Sequence, residues 1–460
     1  WILDAYALVF GGTLLTMGAI GDRFGRRSAL QVGLLIVGTA SAWTAMYAET
    51  SGEVIAARAV MGLGAALIMP STLSIVVTVF PAEERPKAIG IWAAMAGVGA
   101  PIGLFVGGWA VQTFDWSMVF WINVPVALVC ILLCFWIVPE SNDGKRTRLD
   151  PVGSVLSIAA LGTLLFTIIE APNLGWTSNE TLLLTGLTAV LMFLFSAWER
   201  RIEHPMLPMS FFKEPGFVTG LIAVSLAFFV MFSFMFTQML HFQLVRGHEA
   251  LNAALHLLPL PLGLMPAAAN SDRLVDKFGR HRVVSTGLFL LTVGMLLFAT
   301  QVTIESDYII MMAVFFILGI GMGLTMAPST SLIMEAIPAD KAGVGSATND
   351  ASREIGGAMG IAIGGSLLNE FYRDSFVMPE AIDANTLAAD PSVSFPAAIR
   401  IGEQLRDMGV PGGQELIDVG REAFMVGMTS SAGGSAVISL IAGIIVLFWM
   451  PKTKRIFEEE

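Results

Sequence analysis

Three charged residues lie close together near residue 350. In the run SATNDASREIGGAMG, Asp350 and Glu354 are four residues apart, which places them on one helix face, and Arg353 is three residues from Asp350. If the helix begins near Ala342, a rise of about 1.5 Å per residue puts Glu354 roughly 18 Å from its start, near mid-membrane in a spanning helix. The alternative is a later start that leaves the trio in a polar cap.

Such a trio is suited to proton transfer. A carboxylate in a low dielectric binds a proton more readily, whereas a neighbouring guanidinium favours its charged form. A pair of carboxylates beside an arginine can therefore take up and release protons as a cavity opens and closes. We predict that Glu354 is the main carboxylate that takes up and releases the proton.

Arg58 is a further charge in apolar surroundings. It lies in the run IAARAVMGLGAALIMPST. A cation inside a membrane costs at least about 2.5 kcal/mol, so Arg58 should face a polar interior and have a partner. Because it is only about four residues into its predicted helix, its side chain can alternatively extend to the membrane surface.

A basic run with two glycines, GDRFGRR at 21–27, connects the first two apolar stretches. Gly21 and Gly25 permit a tight fold-back, and Asp22 can cap the next helix or pair with an arginine. The run recurs as VDKFGRH at 275–281, offset by 254 residues. An anchor of positive charge at the membrane surface is the alternative interpretation.

A glycine stripe lies in the run GVGAPIGLFVGG at 97–108. Gly99, Gly103 and Gly107 are spaced at i, i+4 and i+8. Such a smooth helix face lets another helix approach closely. Close packing is by itself sufficient to explain the stripe.

Membrane-spanning helices must position these motifs, and the composition supplies them. The 460 residues are 55% hydrophobic and only 14% charged, whereas soluble domains have about a quarter charged residues. Cys130 and Cys134 share one helix face and offer no disulfide or metal-site spacing, so no metal is expected. Thirteen apolar stretches approach the roughly 20 residues of a spanning helix. They lie at 1–20, 28–48, 54–79, 88–112, 117–138, 152–171, 182–198, 217–245, 250–270, 283–302, 307–333, 342–368 and 424–449.

The charges of the connecting segments predict the orientation. Lysine and arginine concentrate in one alternating set of loops, from the run at 21–27 to the tail at 452–455. The opposite set has Arg246 and then only the segment 369–423, a polar loop with a short amphipathic helix at 398–409. By the positive-inside rule the first set is cytoplasmic. We therefore predict a multi-pass protein of the bacterial cytoplasmic (inner) membrane with a cytoplasmic C-terminus.

An internal repeat divides the chain. Three pairs of matching segments occur in the same order: 21–27 with 275–281, 62–72 with 319–330, and 103–108 with 360–365. Matches in the same order and topology indicate two parallel halves related by an axis along the membrane normal.

Helix counting against this repeat gives six spans in the second copy and five in the first. We therefore expect one further helix before Trp1, absent from this chain. The stretches 152–171 and 182–198 are additional, which predicts fourteen spans. The fold class is an all-α polytopic membrane protein with two pseudo-symmetric six-helix bundles plus two extra helices. The expected units are the N-terminal bundle 1–138, the linker and extra spans 139–199, the C-terminal bundle 200–449 with the loop 369–423, and the tail 450–460.

The run GAIGDRFGRR at 18–27 resembles the GxLaDrxGrkxxl loop of the major facilitator superfamily. With the fourteen-span count and the start WILDAYAL, the whole chain resembles the drug:proton antiporters with fourteen helices, the multidrug and antiseptic exporters. The resemblance implies the major facilitator fold. It also implies a conformational gating loop formed by Gly21, Asp22, Arg23, Gly25, Arg26 and Arg27, with Asp276, Gly279 and Arg280 in the weaker second copy. Asp22, Arg23 and Arg27 would hold the halves together in the outward-facing state.

The resemblance implies roles for other residues. Arg58 matches an arginine linked to proton transfer, and the acids of the trio match residues of cation recognition or proton coupling. Asp4 matches a pore-facing acid, although an interfacial position is the alternative. The stripe resembles the antiporter signature, but Leu104 stands where its proline is expected. The motif residues are Gly99, Pro101, Gly103, Gly107 and Gly108.

These features predict a secondary active transporter that exports drugs or other amphipathic compounds in exchange for protons, by alternating access, and so confers antibiotic resistance. No nucleotide-binding loop or nucleophile–base spacing suggests an enzyme. The expected energy source is the proton gradient, with no cofactor. The expected partners are lipid, protons and an amphipathic or cationic substrate, with no nucleic acid, and a monomer is expected. The alternatives on this fold are an exporter of an endogenous metabolite, lipid or natural product, and a proton-coupled uptake symporter.

Overall fold

The computed structural model describes residues 1–142, 149–304, 306–382, 387 and 389–452, with the backbone alone at 98, 100, 101, 104 and 250. Within these ranges the chain forms seventeen α-helices and no β-strand. They are α1 (Asp4–Phe24), α2 (Arg26–Tyr47), α3 (Ser51–Val79), α4 (Arg85–Thr113), α5 (Met118–Trp121), α6 (Asn123–Ile137), α7 (Pro151–Leu174), α8 (Asn179–Glu199), α9 (Pro215–Leu240), α10 (Ala250–His256), α11 (Pro259–Ala269), α12 (Ser271–Phe278), α13 (Arg280–Gln301), α14 (Tyr308–Glu335), α15 (Ala342–Ser375), α16 (Phe395–Asp407) and α17 (Gly413–Trp449).

The predicted membrane character is confirmed. Ten segments of the described ranges are long and apolar enough to cross a membrane. They are α1, α2, α3, α5 with α6, α7, α8, α9 with the π turn His241–Val245, α13, α14 and α17. The other three predicted stretches coincide with α4, with α10 and α11, and with α15, whose charged residues make it more polar. The count of fourteen spans stays a prediction.

Three helix boundaries differ from the sequence prediction. The stretch 250–270 is not one helix, since α10 ends at His256 and α11 begins at Pro259. Proline has no backbone N–H to continue a helix, and it restricts the residue before it. Both α15, with 34 residues, and α17, with 37, extend into the segment predicted as a loop. At about 1.5 Å per residue they exceed the roughly 30 Å apolar core of a bilayer, so their polar ends project beyond it.

The two basic runs form the same tight turn. Gly25 is the single residue between α1 and α2, and Gly279 is the single residue between α12 and α13. Their φ angles are +117° and +86°, a region that only glycine enters without strain. The predicted fold-back is confirmed at Gly25 and Gly279, whereas Gly21, the other glycine expected to permit it, lies within helix α1.

Contacts between helices recur in the two copies of the repeat. In the first copy, α3 packs on α1 and α2; in the second, α14 packs on α11 and α13. The copies meet along an interface that we call the seam, where α1 packs on α15 and α4 packs on α11. Helix α7 of the extra pair packs on α8, on α1 and on α15, so the pair covers one edge of the seam.

The seam has its own apolar core. Buried side chains from α1, α3, α7, α9 and α15 form one cluster, which includes Phe10, Leu14, Ala66, Leu161, Phe217 and Ala347. Small residues bring α1 and α15 to backbone contact within it. A Cβ atom on Gly343 would lie 2.6 Å from the carbonyl oxygen of Gly18. A side chain at this crossing would separate the two copies of the repeat.

The glycine stripe predicted in the first copy does not make the close helix contact expected of it. A Cβ atom on Gly99, Gly103 or Gly107 would meet nothing within 4 Å among the described residues. Gly108 is buried, and the side chain of Pro101 lies outside the described residues. Helix α4 instead approaches α11 through Gly97, which faces Leu264.

The matching stripe of the second copy makes the close contact. A Cβ atom on Gly356, Gly360 or Gly364 would collide with atoms of α9 at Ser225, Phe229 or Ser233. The same spacing therefore gives backbone-to-backbone packing only where a second helix lies opposite.

Gly360→Ala should lower the thermal unfolding midpoint of the purified protein, since overpacking a helix contact costs typically about 1–3 kcal/mol. Its Cβ atom has no room against the Phe229 carbonyl. Gly186→Ala in α8 is the matched control, since a Cβ atom there meets nothing within 4 Å. Equal midpoints for the two variants would contradict the close packing of α15 on α9.

Candidate functional site: buried charges at the seam

The charged trio lies well inside α15. This helix begins at Ala342, as the prediction assumed, and continues past the trio to Ser375. Only 2% of Asp350 and 5% of Arg353 is exposed. The alternative of a polar cap is therefore wrong, and the two charges are buried inside a helical bundle.

Asp350 is paired, but loosely. Its Oδ1 atom lies 3.4 Å from Arg353 Nη1 and accepts from Asn349 Nδ2 at 3.5 Å. These distances are at the outer limit of hydrogen bonding. The Oδ2 atom is buried and has no hydrogen-bond partner among the described residues. One acceptor of this carboxylate is thus available for a proton or a further donor.

Arg353 contacts both copies of the repeat. Its guanidinium carbon lies 4.8 Å from the ring centre of Trp92 in α4 and 5.2 Å from that of Phe228 in α9. Its Nη2 atom donates to Thr330 Oγ1 at 3.3 Å, and Thr330 donates to Asn349 Oδ1 at 3.2 Å. Cation–π contacts of a desolvated guanidinium are worth about 2 kcal/mol. Arg353 therefore links α4 to α9, α14 and its own helix.

Glu354 faces the first copy of the repeat. The space for its side chain depends on Gly11 in α1, because a Cβ atom there would lie 3.0 Å from Glu354 Cγ and would collide with Leu165 of α7. Tyr6, one turn earlier in α1, lies within electrostatic reach of both Glu354 and Arg58. Glu354 and Asp350 thus share a helix but lie in different surroundings.

Arg58 and Asp4 lie apart from the buried pair. The Arg58 guanidinium carbon lies 4.3 Å from the ring centre of Tyr6, and its Nε atom donates to the Ile2 carbonyl at 3.2 Å. Asp4 is the first residue of α1 and is half-buried. In the part of the chain that the structure describes, Arg58 approaches the trio only through Tyr6. The partners that Arg58 finds are an aromatic ring and a backbone carbonyl, not a carboxylate.

The gating-loop residues form a contact across the seam. Asp22 accepts from Arg26 Nη2 at 2.8 Å and from the backbone N–H groups of Gly343 and Val344 at 2.8 and 3.1 Å. Arg26, only 1% exposed, also donates to the Ala339 carbonyl at 2.8 Å. We call this set of contacts the latch. It uses the free N–H groups at the start of α15, where a carboxylate is favoured.

The other arginines of the run do not take part in the latch in the described residues. Arg27 binds Glu140 and the Val138 carbonyl, within its own copy of the repeat, and Arg23 lies 5.1 Å from the ring centre of Phe24. The expectation for Asp22 agrees with these contacts, whereas the arginine that crosses the seam is Arg26. In the second copy, Arg280 pairs with Glu335 at 2.6 Å.

Two repeated helix bundles that meet at a charged seam define a polytopic membrane protein built like a transporter. The chain belongs to the Major Facilitator Superfamily, whose model matches residues 1–361. It is 32% identical over 451 residues to the multidrug efflux pump LfrA of Mycolicibacterium smegmatis, covering 97% of this chain and 87% of LfrA. It is 30% identical over 464 residues to the methyl viologen resistance protein SmvA of Salmonella typhimurium, covering 99% of this chain and 91% of SmvA.

The fold also agrees with a solved structure. The human organic anion transporter MFSD10 (TETRAN) superimposes with a TM-score of 0.61, covering 97% of this chain and 82% of that one. The two sequences are 13% identical, so this likeness concerns the fold alone. The predicted major facilitator fold and the membrane-spanning character are confirmed, whereas the inner membrane and the cytoplasmic side of the C-terminus stay predictions.

Asp22→Asn should destabilise the protein strongly. The change leaves the buried Arg26 without its carboxylate, and breaking a buried pair in this way costs about 3–5 kcal/mol. Asp276→Asn, the repeat counterpart on an exposed position, should change the unfolding free energy by less than about 0.5 kcal/mol. Thermal unfolding of both purified variants measures the difference. Similar losses in both would contradict a special role of the Asp22–Arg26 pair.

Proposed function

We propose that this protein exports drugs or other amphipathic compounds from the cell in exchange for protons, by alternating access of the seam to the two sides of the membrane. The observation that carries the proposal is the charge cluster of α15. Buried charges inside a membrane bundle are costly and mark ion or substrate pathways. Here they contact both copies of the repeat.

The relatives support this choice of substrate. One is named for multidrug efflux and another for methyl viologen resistance, and the chain aligns with both over nearly its full length. We infer that this chain likewise acts on amphipathic or cationic small molecules. Its relatives are transporters, and we propose no enzymatic activity, no cofactor and a monomeric state.

Coupling follows from the position of both charge sets on one helix. The latch holds the first turn of α15, and Asp350 and Glu354 lie about two and about three turns further along it. Protonation of a carboxylate weakens its pairing with a neighbouring arginine and removes a charge from the seam. A rigid helix transmits the resulting shift to the latch. In this scheme the basic loops are cytoplasmic, in the bacterial inner membrane, as the positive-inside rule requires.

Glu354→Gln should abolish uphill transport driven by a proton gradient while leaving downhill equilibration of the same substrate, because the amide cannot carry a proton across the cycle. Everted vesicles with an acidic interior and a fluorescent cationic dye measure both. Glu370→Gln is the matched control, an exposed acid on the same helix, and should transport normally.

Three outcomes would contradict parts of the proposal. Full uphill transport by Glu354→Gln would exclude this residue as the coupling carboxylate. Movement of substrate in the same direction as the protons would indicate an uptake symporter. Failure to move any of a panel of cationic and neutral toxic compounds would favour a dedicated endogenous substrate.

A further inference from the structure

The six residues 339–344, which we call the junction segment, connect α14 to α15 and carry every second-copy atom of the latch. Arg26 donates to the carbonyl of Ala339, and Asp22 accepts from the N–H groups of Gly343 and Val344. The segment includes a 3₁₀ turn, Ala339–Lys341. Opening the basic end of the seam must therefore move this segment away from α1.

Lys341, in the middle of the junction segment, contacts the segment 200–214, which follows the extra helix pair. Its Nζ atom donates to the Pro205 carbonyl at 2.7 Å. Burial lowers the pKa of Lys341, and the carboxylates of Asp340, Glu199 and Asp22 oppose this change. The ammonium group thus interacts favourably with the latch carboxylate and with a carboxylate at the end of α8.

That second carboxylate, Glu199, is 2% exposed. Its Oε2 atom accepts from the N–H group of Leu207 at 2.9 Å, and its Oε1 atom has no hydrogen-bond partner among the described residues. Nearby, Asp150 caps α7 through Gly153 and accepts from Trp198 Nε1 of α8 at 2.8 Å. These contacts fix the two ends of the extra pair together, and Glu199 is buried beside them without full compensation.

A small cavity joins these groups. It has a volume of about 60 Å³, and its lining includes Asp22, Arg23, Asp150, Pro205, Asp340 and Lys341. Polar groups of the latch and of the extra pair thus border one partly open pocket, large enough for about two water molecules.

We propose that Lys341 is a positioning residue that ties the extra pair α7–α8 to the latch, so that the extra helices stabilise the closed basic end of the seam. The junction segment cannot leave Asp22 and Arg26 without also taking Lys341 away from Pro205 and Glu199. That step weakens the favourable charge interaction of Lys341 with the buried Glu199 carboxylate, and losing charge compensation at a buried site is unfavourable. The extra pair therefore stabilises the closed latch. The inference rests on the proposed alternating access, but opening is measured without any transported substrate.

The test measures exposure of the seam in the full-length protein in lipid nanodiscs. Cys130 and Cys134 are replaced by serine, and Val344→Cys, a buried position at the latch, is the reporter for a water-soluble maleimide. Lys341→Met should raise the labelling rate several-fold. Glu199→Gln, which keeps an acceptor for Leu207, should also raise it. The double variant should label no faster than Lys341→Met alone, because Lys341→Met already removes the interaction with Glu199.

Lys213→Met is the matched control, because it removes an exposed lysine of the same segment, 200–214. Equal labelling of Lys341→Met and Lys213→Met, with faster labelling of Asp22→Asn, would overturn the proposal that Lys341 ties the extra pair to the latch. Additive rates in the double variant would also overturn it. If Lys341→Met does not fold, Glu199→Gln is judged by the same comparison. If Asp22→Asn also fails to raise labelling, the closed basic end does not depend on the latch, and the proposed alternating access is what fails.

Discussion

Asp22 accepts hydrogen bonds from the start of α15, and the architecture of the seam depends on this contact. The first N–H groups of any helix have no partner within it, and they form the positive end of its dipole. A carboxylate satisfies them only if α1 approaches α15 closely, which requires a bare backbone at Gly18 and Gly343. Arg26 then balances the charge that this approach buries. Apolar packing of the seam core continues from the same crossing along both helices.

Helix α15 carries charged residues and also packs in the interior of a membrane bundle, two requirements that conflict. A helix with three charges near its middle is unstable in lipid, so its charged face has to be covered by protein. It is covered by helices of both copies and of the extra pair: α1, α3, α7, α9, α14 and α17. The glycines that follow the charges allow backbone contact with α9, which fixes the register of the charged residues. The charged residues, the close packing on α9 and the second-copy half of the latch therefore all lie on one rigid helix, α15.

Much of this could be predicted from the sequence, because the strongest signals are local. Apolar stretches of spanning length, basic loops and a repeated glycine turn are properties of short runs, and each predicts structure directly. Asp350, Arg353 and Glu354 were recognisable since charges are rare in such stretches. The break before Pro259 was missed in the predicted stretch 250–270, although it follows from the rule that proline interrupts a helix.

Other features depend on tertiary structure that short runs do not encode. Three arginines follow Asp22 within five residues, and only the fold-back at Gly25 determines that Arg26 faces the seam. Trp92 and Phe228 were missed because ten tryptophans and thirty phenylalanines give no local reason to single them out. The two glycine stripes have equal spacing, yet only one has a helix opposite it.

The position of the extra pair makes the two edges of the seam unequal towards the bilayer. At one edge α7 lies against both α1 and α15, with α8 packed on its far side. At the other edge α4 meets α10 and α11 with no additional helix outside them in the described ranges. In the described ranges, lipid therefore reaches α4, α10 and α11 directly at one edge, whereas α7 and α8 separate it from α1 and α15 at the other. The two copies of the repeat make matching helix contacts, yet their surroundings in the bilayer differ.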